Sequence, residues 1–416
     1  PLAKPGQHHS GAFWSILPIQ PLPGRPGRKR RVDNSTVATR GTDFEGVRMP
    51  NHFSRILGLL ALITCLPVLA TDLPESLQGL GLRESSMASR DMAGWKKPER
   101  IVVWTPFGPQ LIDQLQAVAP GVELVPVTNT EEAAAAVPGS QAVIGFCNST
   151  VLNKADRLHW VQVFFAGVEN CVSLPGMQAG IVLTNGQRLS SPTIADHTIA
   201  LTYALVRSID TFHSNQAAGD WNRSASNSLH GFGELPGRTM LVVGLGGIGT
   251  QVAQRAHALG MRVLATRGSR REGPDFVEYV GLSDEAIKLA TEADVVVNAA
   301  PLTDSTRGMF NQSFFKAMKP SAYFISVGRG QSTVTADLLS ALEKGEIAGA
   351  GLDVTDPEPL PQDHPLWTTP RVIITPHVAA SSAETRQRVQ ALVTENLRRY
   401  VAGEPLLSVV DIQRGY

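Results

Sequence analysis

An α/β fold built on parallel sheets is what the sequence predicts, and three features predict it. From Arg100 onward, short apolar runs with the character of strands alternate with segments of helical periodicity. A glycine turn, Gly244-Leu-Gly-Gly-Ile-Gly249, stands between one such strand and one such helix. A long stretch with an apolar stripe, over 193–217, divides the alternation into two halves. With 416 residues, 43% of them apolar, the chain is long enough for two domains with cores of their own.

Roughly the first fifty residues are rich in Pro, Gly and Arg and lack apolar periodicity. Residues 1–48 are therefore expected to be disordered, with Met49 as the expected natural start and the basic cluster at 28–31 read as a solvated tail. An apolar run over 56–70 follows Arg55, with Val68 and Ala70 where a signal peptidase needs small or β-branched residues. The run is short for a bilayer span, so 49–70 reads as a signal peptide, with a buried helix as the alternative. That reading implies export, a mature chain from near Thr71, and no stable membrane span. Residues 71–99 read as an N-terminal arm.

The balance of 37 basic against 37 acidic residues gives no reason to expect nucleic acid as a partner. Three cysteines cannot make a disulfide framework. Cys147 and Cys171 have no metal-ligand spacing and read as separate buried thiols, so no metal site is expected.

In the first half, strands are expected at 101–104, 123–127, 142–145, 160–163 and 181–184, with a helix over 109–118. The long helix over 193–217 ends near Gly219, and 220–236 reads as a connecting loop. In the second half, strands are expected at 240–243, 262–265, 294–298, 322–327, 349–353 and 372–375. A helix over 251–259 is closed by Gly260, and a terminal helix runs over 383–400. No internal repeat is visible.

The glycine turn sits where a dinucleotide's phosphates need it. Gly244 permits the tight turn, Gly246 lets backbone approach a pyrophosphate, and Gly249 lets the helix pack closely on the strand. The helix N-terminus then offers unbonded N–H groups and positive dipole. At the end of the second strand, NAD-specific sites carry an acid for the ribose 2′-hydroxyl. Here Ala265-Thr-Arg-Gly-Ser-Arg-Arg271 has none before Glu272. An acid repels a 2′-phosphate, whereas arginine forks match it. The expectation is NADP(H) in preference to NAD(H), with Thr266, Arg267 and Arg270 around the 2′-phosphate.

Three later segments place polar residues just after apolar strands, at the carboxyl edge where α/β sheets bind ligands. They are Ser326-Val-Gly-Arg-Gly330, Asp353-Val-Thr-Asp-Pro-Glu-Pro359 and Thr375-Pro-His-Val-Ala379, and they offer Arg329, Glu358 and His377. Carbonyl reduction needs a proton donor at oxygen; a histidine with a neighbouring carboxylate suits that role.

Over about residues 100–405, and most strongly over 237–380, the sequence resembles the D-isomer-specific 2-hydroxyacid dehydrogenases. The motifs that carry the likeness are Pro301-Leu-Thr303, Met318-Lys-Pro320, Val327-Gly-Arg-Gly330, Gly351-Leu-Asp-Val354, His364-Pro-Leu-Trp367 and Thr375-Pro-His377, in that order. The resemblance implies two Rossmann-like domains. The dinucleotide-binding domain, 206–379, is inserted into a discontinuous flavodoxin-like substrate domain, 100–205 and 380–416. It implies His377 as acid/base, Glu358 as the carboxylate that orients it, and Arg329 as the group that binds the substrate carboxylate and polarises the 2-oxo group. Backbone N–H groups of Ala166 and Gly167 would hold the substrate carboxylate, and Phe164 and Phe165 would line the pocket or the core. Gly247 and Ile248 would lie against the pyrophosphate, and Asp353 beside the nicotinamide amide. Pro301, Val327, Gly328, Ala379 and Ala380 would complete the cofactor site, and His197 would be structural. Ser326 stands where the family commonly has Asn. The implied reaction reduces a small 2-oxo acid (glyoxylate, hydroxypyruvate or a pyruvate-like acid) to a D-2-hydroxy acid, in a homodimer. The family implies a cytoplasmic enzyme, against the export that 49–70 implies. Two alternatives share the triad: a phosphite dehydrogenase and a dinucleotide-sensing corepressor. Glu358 argues against the formate dehydrogenases, which carry Gln there.

Overall fold

The computed structural model describes residues 73–414, apart from 107, 179, 224–232 and 269. The expected disordered segment and signal peptide lie outside the described residues. Fourteen strands are described, β1 (Glu84–Ala88), β2 (Arg100–Trp104), β3 (Glu123–Val127), β4 (Ala142–Ile144), β5 (Trp160–Gln162), β6 (Val182–Thr184), β7 (Thr239–Val243), β8 (Arg262–Arg267), β9 (Tyr279–Leu282), β10 (Val295–Asn298), β11 (Tyr323–Ser326), β12 (Gly349–Leu352), β13 (Val372–Ile374) and β14 (Pro405–Leu407).

Apolar runs without polar alternation need cover on both faces, and a parallel sheet flanked by helices supplies it. Seven of these strands form one sheet in the order β13-β12-β11-β10-β7-β8-β9, every pairing parallel. Its central strands β12, β11, β10 and β7 are buried along their whole length. Side chains alternate between the faces as a pleated strand requires. Leu241, Val243, Val296 and Phe324 enter one core with Phe310 and Phe314. Met240, Val242, Val297 and Ile325 enter the other. The strand order reverses between β7 and β10, the doubly wound arrangement that leaves a ligand crevice at that point.

A second parallel sheet has the order β3-β2-β4-β5-β6, the flavodoxin-like arrangement. The chain returns to it at its end. The helix Ala383–Ala402 buries Val389, Leu392, Leu397 and Tyr400 in one core with Ile101, Val103, Ile144 and Trp160. The larger sheet is thus inserted into the fold of the smaller one. The helix Ser191–Val206 runs between them in sequence and packs Ala195, Leu201 and Leu205 on the larger sheet. β1 and β14 pair antiparallel as a separate ribbon. Arg399 pins this arm through Glu84 at 3.1 Å, and Arg90 donates to the Gly403 carbonyl at 2.9 Å.

Three expectations are corrected. The helix over 193–217 is two helices, Ser191–Val206 and Ile209–Ala217. Between them Ser208 is buried with φ 53, and Arg371 takes over the bonding of the break. Its guanidinium donates to the Leu205 carbonyl, which also accepts from Ser208 N at 3.0 Å, and to Asp210 Oδ1 at 2.7 Å. Cys147 and Cys171 are not separate thiols but a disulfide, with Cα atoms 5.6 Å apart. The pairing of β4 with β5 brings the segments that follow them together. Finally, β1, β9 and β14 are strands that the apolar pattern did not mark. The exposed edge strand β9 has only Val280 and Gly281 buried, too short a signal to read.

Candidate active site

The glycine turn leaves β7 and opens the helix Gly247–Ala258. Gly244 has φ 95, and a methyl there would approach the Ala300 backbone within 2.7 Å. A methyl on Gly249 would collide with the Gly244 carbonyl oxygen and come within 2.9 Å of Val242 Cγ1. Gly249→Ala is therefore expected to destabilise the protein by about 1–3 kcal/mol, the usual cost of overpacking, and to weaken dinucleotide binding. A thermal melt and a fluorescence titration check this; an unchanged melting temperature with unchanged affinity would count against the tight packing.

The residues present fit a dinucleotide. The helix has no side-chain cap, so the first N–H groups, at Gly247, Ile248 and Gly249, lack intrahelical acceptors. A methyl on Gly246 would meet nothing within 4 Å, so the backbone there is open to approach. At the end of β8, Thr266 is buried and its carbonyl accepts from Gly244 N at 3.2 Å and Leu245 N at 2.9 Å. Arg267 follows with its Nε buried and without a hydrogen-bond partner, and Arg270 is exposed beside it. Burial, then the charges of Arg270 and Arg188, lower the Arg267 pKa, against a smaller opposing effect of Glu272. An anion would relieve this arrangement.

The three catalytic candidates follow β11, β12 and β13, at the same edge of the larger sheet. His377 Nδ1 lies 2.6 Å from Glu358 Oε1. His377 has φ 52, a backbone conformation unfavourable for a side-chain-bearing residue, and Asp353 holds it there. The His377 N–H donates to the Asp353 carbonyl at 2.9 Å. The Asp353 carboxylate accepts from Val378 N at 2.9 Å, Ala379 N at 3.0 Å and Thr375 Oγ1 at 2.6 Å. The expected contact of Asp353 with a nicotinamide amide thus competes with three bonds the carboxylate already accepts. His197 Nε2 packs behind this network, 3.0 Å from Thr375 Oγ1, in a supporting position.

Glu358 is ionised more easily than an ordinary carboxyl. Burial acts to raise its pKa, but the hydrogen bond and charge of His377, a backbone bond at Thr355 and the charge of Arg329 together outweigh it and lower it. A lowered pKa means that the carboxylate–histidine pair is intact above the ordinary carboxyl range and is lost only as pH falls through the lower value. Activity that depends on this pair should hold through the pH of an ordinary carboxyl on the acid side, and a rate profile checks this. A decline beginning at or above the ordinary range would contradict it. In Glu358→Gln, kcat should fall by about 10²-fold at every pH at which the wild type works.

Arg329 reaches across to the smaller sheet. Its Nε donates to Glu169 Oε1 at 3.0 Å, and its guanidinium lies so close over Gly167 that a methyl there would collide with it. Nη1 donates to the Gly328 carbonyl at 3.0 Å. Neither Ala166 N nor Gly167 N donates a hydrogen bond among the described residues; the Ala166 carbonyl accepts from Asn185 Nδ2 at 2.7 Å. Phe164 is buried and stacks on Trp104 with ring centroids 5.7 Å apart, whereas Phe165 is half exposed. Phe164 is therefore a core residue. Where the family commonly has Asn, Ser326 Oγ accepts from Asn298 Nδ2 at 3.1 Å, so a neighbouring strand supplies the amide. Gly328 packs on the Ala300 carbonyl, Pro301 and Val327 lie at the ends of adjacent strands, and Ala380 follows the buried Ala379.

Three residues near the site went unread in the sequence. Glu169 lies two residues beyond Gly167, in the same loop as the expected carboxylate-binding N–H groups, and its charge there was the available signal. Arg188, with φ 70, places its Cγ 3.0 Å from where a methyl on Gly247 would be, directly against the glycine turn. Arg83 belongs to the arm. Nothing in the local sequence around Arg83 or Arg188 marks a nucleotide site. Among the described residues there is no cluster of His, Cys, Asp and Glu that could hold a metal, and no helix long and apolar enough to cross a membrane.

Comparison with known proteins bears on this geometry. Residues 199–379 match the family model of the D-isomer specific 2-hydroxyacid dehydrogenase NAD binding domain. A glyoxylate reductase of Korarchaeum cryptofilum is 36% identical over 262 residues, 62% of this chain and 77% of the relative. Among solved structures, a D-isomer specific 2-hydroxyacid dehydrogenase family protein of Aeromonas salmonicida superposes with a TM-score of 0.67 at 28% identity, over 76% of this chain and all of that one. An NADPH-dependent glyoxylate/hydroxypyruvate reductase of Sinorhizobium meliloti, solved with NADP and sulfate, superposes with a TM-score of 0.65 at 26% identity over the same shares.

Proposed function

From the premise that this chain belongs to the D-isomer specific 2-hydroxyacid dehydrogenase family and is an NAD(P)-dependent oxidoreductase, we propose that it reduces a small 2-oxo acid with NADPH, glyoxylate or hydroxypyruvate first, to the 2-hydroxy acid, of D configuration where the product is chiral. The observation that carries the reading is the 2.6 Å contact of His377 with Glu358 at the sheet edge that also presents Arg329. A glyoxylate reductase and an NADPH-dependent glyoxylate/hydroxypyruvate reductase among the similar proteins support the substrate class.

The nicotinamide cofactor, when bound, supplies hydride to the carbonyl carbon. The rest is the work of the chain. Ala166 and Gly167 N–H groups and the Arg329 guanidinium bind the substrate carboxylate, and Arg329 also polarises the 2-oxo group. Glu358, an acceptor only when ionised, holds the proton on His377 Nδ1 and fixes the ring. Nε2 then gives its proton to the carbonyl oxygen as charge develops there, and the Glu358 carboxylate stabilises the imidazolium before transfer. In the reverse direction the same nitrogen takes the proton from the hydroxyl. Glu169 accepts from Arg329 Nε at 3.0 Å and orients the guanidinium fork.

A preference for NADP(H) follows from Arg267 and Arg270 and the missing acid at the end of β8. The homodimer and the boundaries at 206 and 380 are part of the same reading. The test is loss of nicotinamide absorbance with glyoxylate, hydroxypyruvate and pyruvate, each with NADPH and NADH. Turnover on the first two with a higher kcat/KM for NADPH is expected. An NADH preference would sink the cofactor reading. Tight dinucleotide binding with no turnover on any acid would sink the enzyme reading in favour of a sensor.

A further inference from the structure

We propose that Arg83 and Arg188, which lie outside the nucleotide-binding sheet, join Arg267 and Arg270 in a four-arginine site for the phosphomonoester group of a phosphorylated dinucleotide. The inference rests on the proposed NADP(H) preference and goes beyond it, because two of the four groups come from elsewhere in the fold.

The four arginines come from three segments, and Arg188 touches both the glycine turn and the arm that carries Arg83. Arg267 ends β8, and Arg270 follows it. Arg188 stands in the loop that leads into the helix Ser191–Val206, in the left-handed conformation at φ 70. Its side-chain stem lies against Gly247, and Ser191 Oγ lies beside it, 2.8 Å from where a methyl on Gly247 would be. Its Nη1 donates to the Leu80 carbonyl of the arm at 3.4 Å, and a methyl on Gly81 would come within 3.1 Å of the same guanidinium. Arg83 follows two residues later, its carbonyl held by Ser408 N at 2.9 Å. The arm is thus fixed at both ends of this contact, by Arg188 on one side and β14 on the other.

The arrangement is unfavourable without an anion. Like charges gathered in partly buried surroundings destabilise each other. Arg188 is held below the ordinary guanidinium pKa by burial first, then by the charges of Arg83 and Arg270. Arg267 has the same causes, with Arg83 among them, and Glu272 is the carboxylate that opposes them. Arg267 Nε is buried and unpartnered. Such an orphaned donor is costly unless a ligand satisfies it. A phosphomonoester dianion supplies both the charge and the acceptors, and guanidinium forks match it. The left-handed backbone at Arg188 stores strain at this point, which is common where a loop is shaped to hold a ligand.

Arg188 also lies against the glycine turn, so the 2′-phosphomonoester, present in NADPH alone, has to be separated from the pyrophosphate diester, present in both cofactors. The experiment separates them. Kd values for NADPH and for NADH are measured by fluorescence titration with the wild type, Arg83→Ala and Arg188→Met. Arg83 is exposed, and Met keeps the stem of Arg188, so both variants should fold; thermal melts verify it. Each variant is expected to raise the NADPH Kd by about tenfold, the loss of one charge-assisted contact, and to leave the NADH Kd within about twofold. Equal losses for both cofactors would assign the arginines to the pyrophosphate and overturn the proposal. Unchanged NADPH affinity in both variants, with the wild type still favouring NADPH, would overturn it while leaving the cofactor reading intact. A wild type that binds NADH more tightly would overturn both.

Discussion

Replacing His377 by alanine is expected to lower kcat for 2-oxo acid reduction by about 10²–10⁴-fold, the range for losing a positioned general acid. The imidazole is placed by two independent means. Glu358 holds Nδ1 at 2.6 Å, and the Asp353 carbonyl and carboxylate hold the backbone of 377–379 in its unusual conformation. Removing the ring leaves both supports in place, so dinucleotide affinity and the melting temperature should change little. Single-turnover rates with NADPH already bound isolate the chemical step from binding. A kcat within tenfold of the wild type would remove His377 from the proposed role.

Arg329→Ala is expected to reduce kcat/KM by about 10²–10³-fold, the size found when a preorganised donor to a developing oxyanion is lost. Both KM and kcat should worsen, because the same guanidinium is assigned to the ground-state carboxylate and to the carbonyl. Arg329→Lys should rescue little: a single ammonium cannot bond Glu169 and a planar carboxylate from one fork. Loss of Arg329 also leaves Glu169 without its 3.0 Å partner, but that pair is about one-third exposed, so little stability should be lost. A variant with raised KM and unchanged kcat would limit Arg329 to binding alone.

Much of the fold was legible because its signals are local. β7 and β11 are continuous apolar runs, and a strand buried on both faces needs nothing more to be recognised. The glycine turn was legible because its spacing falls within six residues between a strand and a helix, although the Ala300 backbone that excludes a side chain at Gly244 is remote in sequence. Arg329, Glu358 and His377 could be singled out as candidates because each lies in the loop that follows a strand, within a motif of the family. What remained hidden depends on pairs far apart in sequence. The break at Ser208 is held by Arg371, and the Cys147–Cys171 bond forms only because β4 and β5 lie side by side. Glu169 becomes part of the site only when the two sheets face each other across Arg329. Asp353 carried a motif, but its bonds to Val378 and Ala379 run to a different strand end from its own.

The central claim is that hydride is delivered to one face of the carbonyl carbon of a 2-oxo acid and a proton from His377 to its oxygen, giving the D product. Its most direct test is reduction of hydroxypyruvate with NADPH, with the glycerate formed resolved by chiral chromatography and counted against NADPH consumed. D-glycerate in one-to-one ratio with oxidised cofactor is the predicted result. L-glycerate, or no glycerate from protein that binds NADPH, would contradict the account.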